Sequence, residues 1–262
     1  MKRILFFDID GCLTRTIYDK ADDPLIVTLS TIFGKPITKE GVVVSGGTAQ
    51  QITIDILTAN GISLTADPEK LAQIGPLYTK NMTESIASGK IIYQPCPNVA
   101  ALLDHCAKSD EFELALVTGN MIDAAEMKLE AAGLNADLFK RHHEGEYKLI
   151  GGFGNDDAYR PRMVAAAMKR FNTLHGKTIP PSQFLVIGDT PKDIWCAHEN
   201  DVPAIGVATG IFNVESLTPI ADCALENFSD LDHTVKMLAT TKRIQRDSYN
   251  YDITADNTNE CI

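Results

Sequence analysis

The sequence predicts an α/β protein: a doubly wound, Rossmann-like parallel sheet with a set of helices inserted after its first strand. Three observations carry this. Short apolar runs closed by turn residues occur at 3–9 (RILFFDI), 113–119 (ELALVTG), 183–189 (QFLVIGD) and 203–210 (PAIGVATG). Runs without polar alternation fit strands buried on both faces. Helical patterns separate the later runs, and strands alternating with helices require right-handed crossovers and a parallel sheet. Finally, residues 16–93 break the alternation, because helical segments follow one another there with no convincing strand.

Each element has a local reason. The first run ends at Asp10-Gly11, a turn-forming pair. Asp23-Pro24 opens a helix with a side-chain cap and a Pro in its first turn; Thr48 caps AQQITIDILTAN before Gly61; Asp67-Pro68-Glu69 opens a third, which Pro76 is expected to kink or split. In the core, helices are read in 98–109, in 121–133 stopping at Gly133, in 160–176 stopping at Gly176, and from Pro191. The predicted division is a discontinuous core of residues 1–15 and 93–240, a helical insert of residues 16–92, and a polar tail of residues 241–262.

Composition bounds the function. With 262 residues, 44% hydrophobic and 23% charged, the chain suits a core domain with a smaller second one. Asp and Glu number 35 against 24 Lys and Arg, a formal charge of −11. That field disfavours nucleic acid and anionic lipid partners, so a bound anion needs local groups or a metal. The six cysteines form no C-x-x-C pair, and the N-terminus lacks a signal-peptide pattern. Free thiols in a cytoplasmic protein are the expectation.

Three clusters carry chemistry. In Asp8-Ile9-Asp10-Gly11, strand alternation sends both carboxylates to one side at a strand's C-terminal end, where open α/β sheets bind ligands. Two like charges there call for a shared proton or a hard cation such as Mg²⁺. A calcium loop starting at Asp8 fails, because its sixth and twelfth positions are Leu13 and Asp19 rather than Gly and Glu. The second cluster, Gly188-Asp189-Thr190-Pro191-Lys192-Asp193, also follows a strand, and with the first it brings four carboxylates to one place. The third, Val117-Thr118-Gly119-Asn120, supplies a hydroxyl, a glycine and an amide before a helix, which suits an oxyanion. His142-His143-Glu144 reads as a solvated loop and Gly151-Gly152-Phe153-Gly154 as a turn. Neither G-x-S-x-G nor the P-loop pattern occurs, which disfavours serine hydrolases and P-loop NTPases.

In this order the clusters resemble the motifs of the haloacid dehalogenase superfamily: FFDIDGCLT (6–14) for the first, LVTGN for the second and GDTPKD for the fourth. The helical insert looks like that family's cap of the first type, and SGGTAQQI is similar to a G-x-T-D-x-x-I segment of phosphoglycolate-phosphatase-like members, with Ala49 in place of Asp.

The resemblance implies a Mg²⁺-dependent phosphatase for a small phosphorylated metabolite. Asp8 would be the nucleophile and Asp10 the acid–base. Asp8, the Asp10 carbonyl and Asp189 would hold Mg²⁺, with Asp193 ligating through water or ordering the site. Thr118 and the amides of Gly11, Cys12, Gly119 and Asn120 would hold phosphoryl oxygens, with Thr48 facing substrate from the cap. The third motif, normally a Lys, aligns with Arg160, while Arg162, Lys169 and Lys148 are further candidates. Cys12, beside the nucleophile, reads first as a packing thiol; the alternative is that its oxidation would block the pocket. A phosphomutase, a phosphonate hydrolase or a catalytically weak phosphate-binding regulatory protein would share these motifs; the intact Asp8, Asp10, Thr118, Asp189 and Asp193 argue against the last.

Overall fold

The computed structural model describes residues 2–18, 22–63 and 67–245. In chain order the elements are β1 (Arg3–Phe7), β2 (Thr14–Tyr18), α1 (Pro24–Phe33), α2 (Ala49–Ala59), α3 (Pro68–Ala87), β3 (Ile91–Pro95), α4 (Val99–Lys108), β4 (Phe112–Val117), α5 (Ile122–Ala131), β5 (Lys140–His143), β6 (Glu146–Leu149), β7 (Gly151–Gly152), α6 (Pro161–His175), β8 (Phe184–Gly188), α7 (Pro191–His198), β9 (Ala204–Val207), α8 (Val214–Leu217), β10 (Cys223–Leu225) and α9 (Leu231–Thr240). Six strands form one sheet in the order β10-β9-β8-β1-β4-β7. Every pairing in it is parallel. The chain winds from β1 to β4 and β7 on one side and reaches β8, β9 and β10 on the other. The strand order therefore reverses at β1, and the crevice at its C-terminal end is where such a sheet binds ligands.

Alternation along β1 divides the core. Leu5 and Phe7 pack with Leu102, Leu103, Ala125 and Leu129 of α4 and α5. Ile4 and Phe6 pack on the opposite face with Met163, Val164, Phe171 and Ile194 of α6 and α7. Phe6 stacks on Phe184 at 5.2 Å between centroids and meets Phe171 edge-on at 5.8 Å. Truncating such a buried ring costs about 3–5 kcal/mol, so this face anchors β1 beneath the crevice.

Helices α1 to α3 have their own small core of Leu29, Ile37, Ile56 and Leu57. Their starts follow the predicted caps: Asp23 Oδ1 accepts from the Leu25 and Ile26 amides, Thr48 Oγ1 from Gln51, and Asp67 Oδ1 from Lys70. Three expectations need correction here. First, the chain leaves and rejoins the core along an antiparallel ribbon, β2 with β3, in which Thr14 faces Pro95 and Tyr18 faces Ile91. These strands escape a search for apolar runs because they stand outside the main sheet, with alternating residues exposed. Second, Pro76 does not split α3, which runs from Pro68 to Ala87 with that residue inside it. Third, Gly151-Gly152 is a strand rather than a turn. A Cβ on Gly151 would lie 1.8 Å from the Leu116 carbonyl oxygen, and one on Gly152 2.1 Å from that of Met163. Lacking side chains, β7 can be clamped between β4 and α6.

His142 and His143 belong to a small hairpin, β5 with β6, rather than to a loop, and the His142 ring packs on Tyr147 at 5.1 Å. Among the described residues no helix is long and apolar enough to cross a membrane. The greater part of the predicted tail, residues 246–262, lies outside the described residues.

Candidate active site

Three strand ends build the site. Asp8 follows β1, and its amide donates to the Ile187 carbonyl at 2.9 Å, which ties the first motif to β8. Asp189 follows β8. Asp193 lies in the first turn of α7 as half of a reciprocal cap: its Oδ2 accepts from the Thr190 amide at 3.0 Å and hydroxyl at 2.7 Å, while its own amide reaches Thr190 Oγ1. Carboxylate oxygens of Asp8, Asp189 and Asp193 all lie within 4.8 Å of one another, and the three residues are buried. Backbone closes around them, because a Cβ on Gly11 or on Gly210 would come within 2.2 or 1.8 Å of Asp189 Oδ2. The turn carrying Asp10 is fixed as well: Thr209 Oγ1 donates to the Gly11 carbonyl at 2.6 Å.

Arg160 supplies the cation. It is 6% exposed, at the start of α6, with Nη2 bonded to Asp193 Oδ1 and 3.5 Å from Asp8 Oδ1. Nη1 donates to the Gly47 carbonyl at 3.3 Å. Planar fork geometry lets one side chain serve these partners together. The other third-motif candidates lie elsewhere. Arg162 is exposed and pairs with Asp157, Lys148 pairs with Glu144 and Glu146 on the hairpin, and Lys169 is exposed on α6.

The expected convergence of four carboxylates is corrected to three. Asp10 turns its side chain to Lys128, whose Nζ is 2.5 Å from Oδ2, and to Asn120, whose Nδ2 is 2.8 Å from the same atom. Its side chain therefore lies outside the cluster of Asp8, Asp189 and Asp193. Lys128 was not visible in the motifs. The available signal was its place on the buried stripe of α5 with Ala124, Ala125 and Leu129, where a charge needs a partner.

These contacts set the electrostatics. Burial pushes the Asp8 carboxyl up, the Asp193 charge adds to the effect and Arg160 opposes it, leaving a value of about 7. Asp189 is driven well above the ordinary range by burial and by its two acidic neighbours. Asp10 moves the opposite way: burial raises it, but Lys128 and Asn120 prevail and hold it below the usual carboxylate value. The Cys12 thiol, fully buried and facing Asp8 and Asp189, is pushed well above its normal value. Thiolate is the reactive form, so the structure speaks against easy oxidation of Cys12.

The donor set fits a hard divalent cation. Asp189 Oδ1 is buried and has no hydrogen-bond partner among the described residues, beside two further carboxylates. An orphaned oxygen in such company is stabilised by a cation. Of the remaining predicted residues, Thr118 is fully buried at the end of β4 and its hydroxyl accepts from Asn120 Nδ2 at 2.8 Å. Gly119 lies under the helical insert: its carbonyl accepts from the Ala49 amide at 2.8 Å, and a Cβ there would strike the Gly47 oxygen at 2.1 Å. Thr48 is 1% exposed and uses its hydroxyl as the α2 cap and as a donor to the Ala158 carbonyl at 3.0 Å. The insert loop thus bonds to the core through Gly47, Thr48 and Ala49, and Lys192 Nζ adds a bond to the Ser45 carbonyl at 2.8 Å.

The sequence profile of one family, haloacid dehalogenase-like hydrolase, matches residues 2–201. No curated protein matches the chain. Solved structures do. A hydrolase from Pseudomonas syringae is 19% identical with a TM-score of 0.61, and the match covers 92% of this chain and 100% of that one. A predicted phosphoglycolate phosphatase from Haemophilus somnus is 20% identical with a TM-score of 0.57, over 89% and 98% of the two chains. A CbbY variant from Rhodobacter sphaeroides, in complex with xylulose-(1,5)bisphosphate, is 18% identical with a TM-score of 0.63, over 88% and 96%. At these identities the likeness is one of fold.

Proposed function

The chain belongs to the haloacid dehalogenase-like hydrolases, and from that premise we propose that it is a Mg²⁺-dependent phosphatase acting on a small phosphorylated metabolite, with Asp8 as nucleophile. One observation carries the reading: the Asp8 carboxylate lies 3.5 Å from Arg160 and beside buried Asp189, one of whose oxygens has no donor among the described residues. Bound by Asp8, Asp189 and the Asp10 carbonyl, with Asp193 ordering the surroundings, Mg²⁺ would neutralise the carboxylates and the phosphoryl oxygens.

The protein's own groups divide the chemistry. Asp8 attacks phosphorus, the bond to the leaving oxygen breaks, and Asp10 gives that oxygen its proton; Asp10 then takes a proton from the water that hydrolyses the aspartyl-phosphate. Arg160 holds the nucleophile and faces the phosphoryl group. Thr118 and the amides of Gly119 and Asn120 face the phosphoryl oxygens; the expected part of the Gly11 and Cys12 amides is corrected, because they already donate to the Thr14 and Ile9 carbonyls at 2.8 and 3.3 Å. Residues 16–92 act as a cap whose Gly47 to Ala49 loop closes the crevice against bulk water, which restricts the substrate to a small one. Two relatives by fold, a predicted phosphoglycolate phosphatase and a protein holding a sugar bisphosphate, agree with a small phosphate ester. Free thiols at Cys12, Cys96, Cys106, Cys196 and Cys223 accord with a cytoplasmic site of action.

The test is a panel of phosphomonoesters with Mg²⁺, for the native protein and Asp8→Asn. Turnover by the native protein with a loss of at least about 10³-fold in the variant, some 4 kcal/mol of transition-state stabilisation, is expected. Equal turnover by the two proteins, or none on any ester, would refute the reading.

A further inference from the structure

Lys128 sits on the buried stripe of α5 and is 8% exposed. Its Nζ reaches Asp10 Oδ2 at 2.5 Å and lies 5.7 Å from the centroid of the Tyr93 ring. Asn120 Nδ2 donates to the same Asp10 oxygen and also to Thr118 Oγ1. Two donors, one just before α5 and one on it, therefore converge on Oδ2. The other oxygen, Oδ1, accepts no hydrogen bond among the described residues, and the Asp10 side chain as a whole is 43% exposed.

We infer that Lys128 is a positioning residue for the acid–base step: with Asn120 it pins one oxygen of Asp10, so that the other is presented to the leaving group and the carboxylate stays apart from the Asp8, Asp189 and Asp193 trio. This role rests on the phosphatase reading above. Lys128 keeps Asp10 ionised at rest, so Oδ1 first takes the proton that a phosphate ester carries as its monoanion; when the Asp8 oxygen bonds to phosphorus and the bond to the leaving oxygen breaks, that proton passes to the leaving oxygen. The negative charge left on Asp10 forms against two donors already in place, so little reorganisation accompanies it. In the second half-reaction a proton from water passes through Oδ1 to the phosphate, and Asp10 is restored. A leaving group that is stable as an anion needs no such proton. In the first half-reaction Lys128 should therefore matter for alkoxide leaving groups and little for a nitrophenolate, while the second half-reaction is common to both esters.

The experiment measures kcat and KM of the Mg²⁺-loaded native protein, Lys128→Met and Lys128→Arg on two esters: the best alkyl phosphate of the panel, and p-nitrophenyl phosphate. In Lys128→Met, kcat/KM on the alkyl ester, which reports the first half-reaction, is expected to fall about 10²-fold or more, the usual size of an acid–base contribution, and at least about tenfold further than on the nitrophenyl ester. Lys128→Arg, which keeps a cation near Oδ2, should recover most of the loss. Equal losses of kcat/KM on the two esters would overturn the assignment while leaving the phosphatase reading intact. No turnover of either ester by the native protein would overturn both. Nitrophenyl phosphate turnover also reports folding of each variant; if the methionine variant does not fold, Lys128→Ala, which likewise removes the donor, provides the same comparison.

Discussion

Replacing Arg160 with methionine keeps the apolar length of the side chain and removes a charge that faces Asp8 at 3.5 Å and bonds to Asp193, all three being buried. Taking one partner from a buried ion pair costs about 3–5 kcal/mol, because the charge left behind is uncompensated. Here two carboxylates lose the partner, with Asp189 within 4.8 Å of both. The upper part of that range is therefore expected. Magnesium should return some of it, since a cation bound at 100 times its Kd stabilises a folded protein by about 2.7 kcal/mol, and the more acidic variant should bind it more tightly. Urea unfolding midpoints of native and variant protein, in EDTA and in saturating Mg²⁺, measure both effects. The gap between the two proteins should be wide in EDTA and narrower in Mg²⁺. A variant as stable as the native protein in EDTA, or a gap that Mg²⁺ leaves unchanged, would refute the account of Arg160 as counter-charge to a metal site.

Two more predictions concern the insert loop and a distant ion pair. Gly119→Ala places a Cβ 2.1 Å from the Gly47 oxygen, so the loop must lift from the crevice; kcat/KM should fall by about 10²-fold through misplacement, while thermal melting shows a loss near the 1–3 kcal/mol of ordinary overpacking. Asp222 accepts from His198 Nε2 at 3.0 Å and from the Ala204 and Ile244 amides at 2.8 and 2.7 Å. Burial raises its carboxyl, but these donors win and hold it below the ordinary value. Its stabilisation is therefore complete above the unfolded value of about 4 and fades as pH falls through the folded one. Asp222→Asn should cost about 1–3 kcal/mol at neutral pH, with the difference from native closing below about pH 4 in denaturant titrations; a difference independent of pH would contradict this.

What could be read in the residues followed from burial. Phe6, Leu116, Ile187 and Ile205 sit in strands covered on both faces, so their runs are continuously apolar and legible without neighbours. Asp8, Thr118 and Asp189 were legible because each closes such a run. Gly151 and Gly152 were not, since their strand depends on having no side chain at all. Thr14–Tyr18 was missed because a two-stranded ribbon leaves Arg15 and Ile17 exposed and shows no strong pattern. Lys128 was hidden for a different reason. Lysine is an ordinary helix former, and only the fold brings α5 beside the Asp10 turn. Proximity across 118 residues is not written in local spacing.

The ribbon of β2 and β3 has a consequence for the history of such a chain. Thr14 lies opposite Pro95, so the two ends of everything between them leave the core side by side. Closing a long loop between points already adjacent costs little more than closing a short one, because the entropy grows only with the logarithm of length. The sheet and its acidic crevice therefore place little constraint on what is carried between those two strands. Lengthening, shortening or exchanging the insert is a change the core should tolerate, and on the proposed function substrate choice could drift there while the reaction stays fixed on β1, β4 and β8.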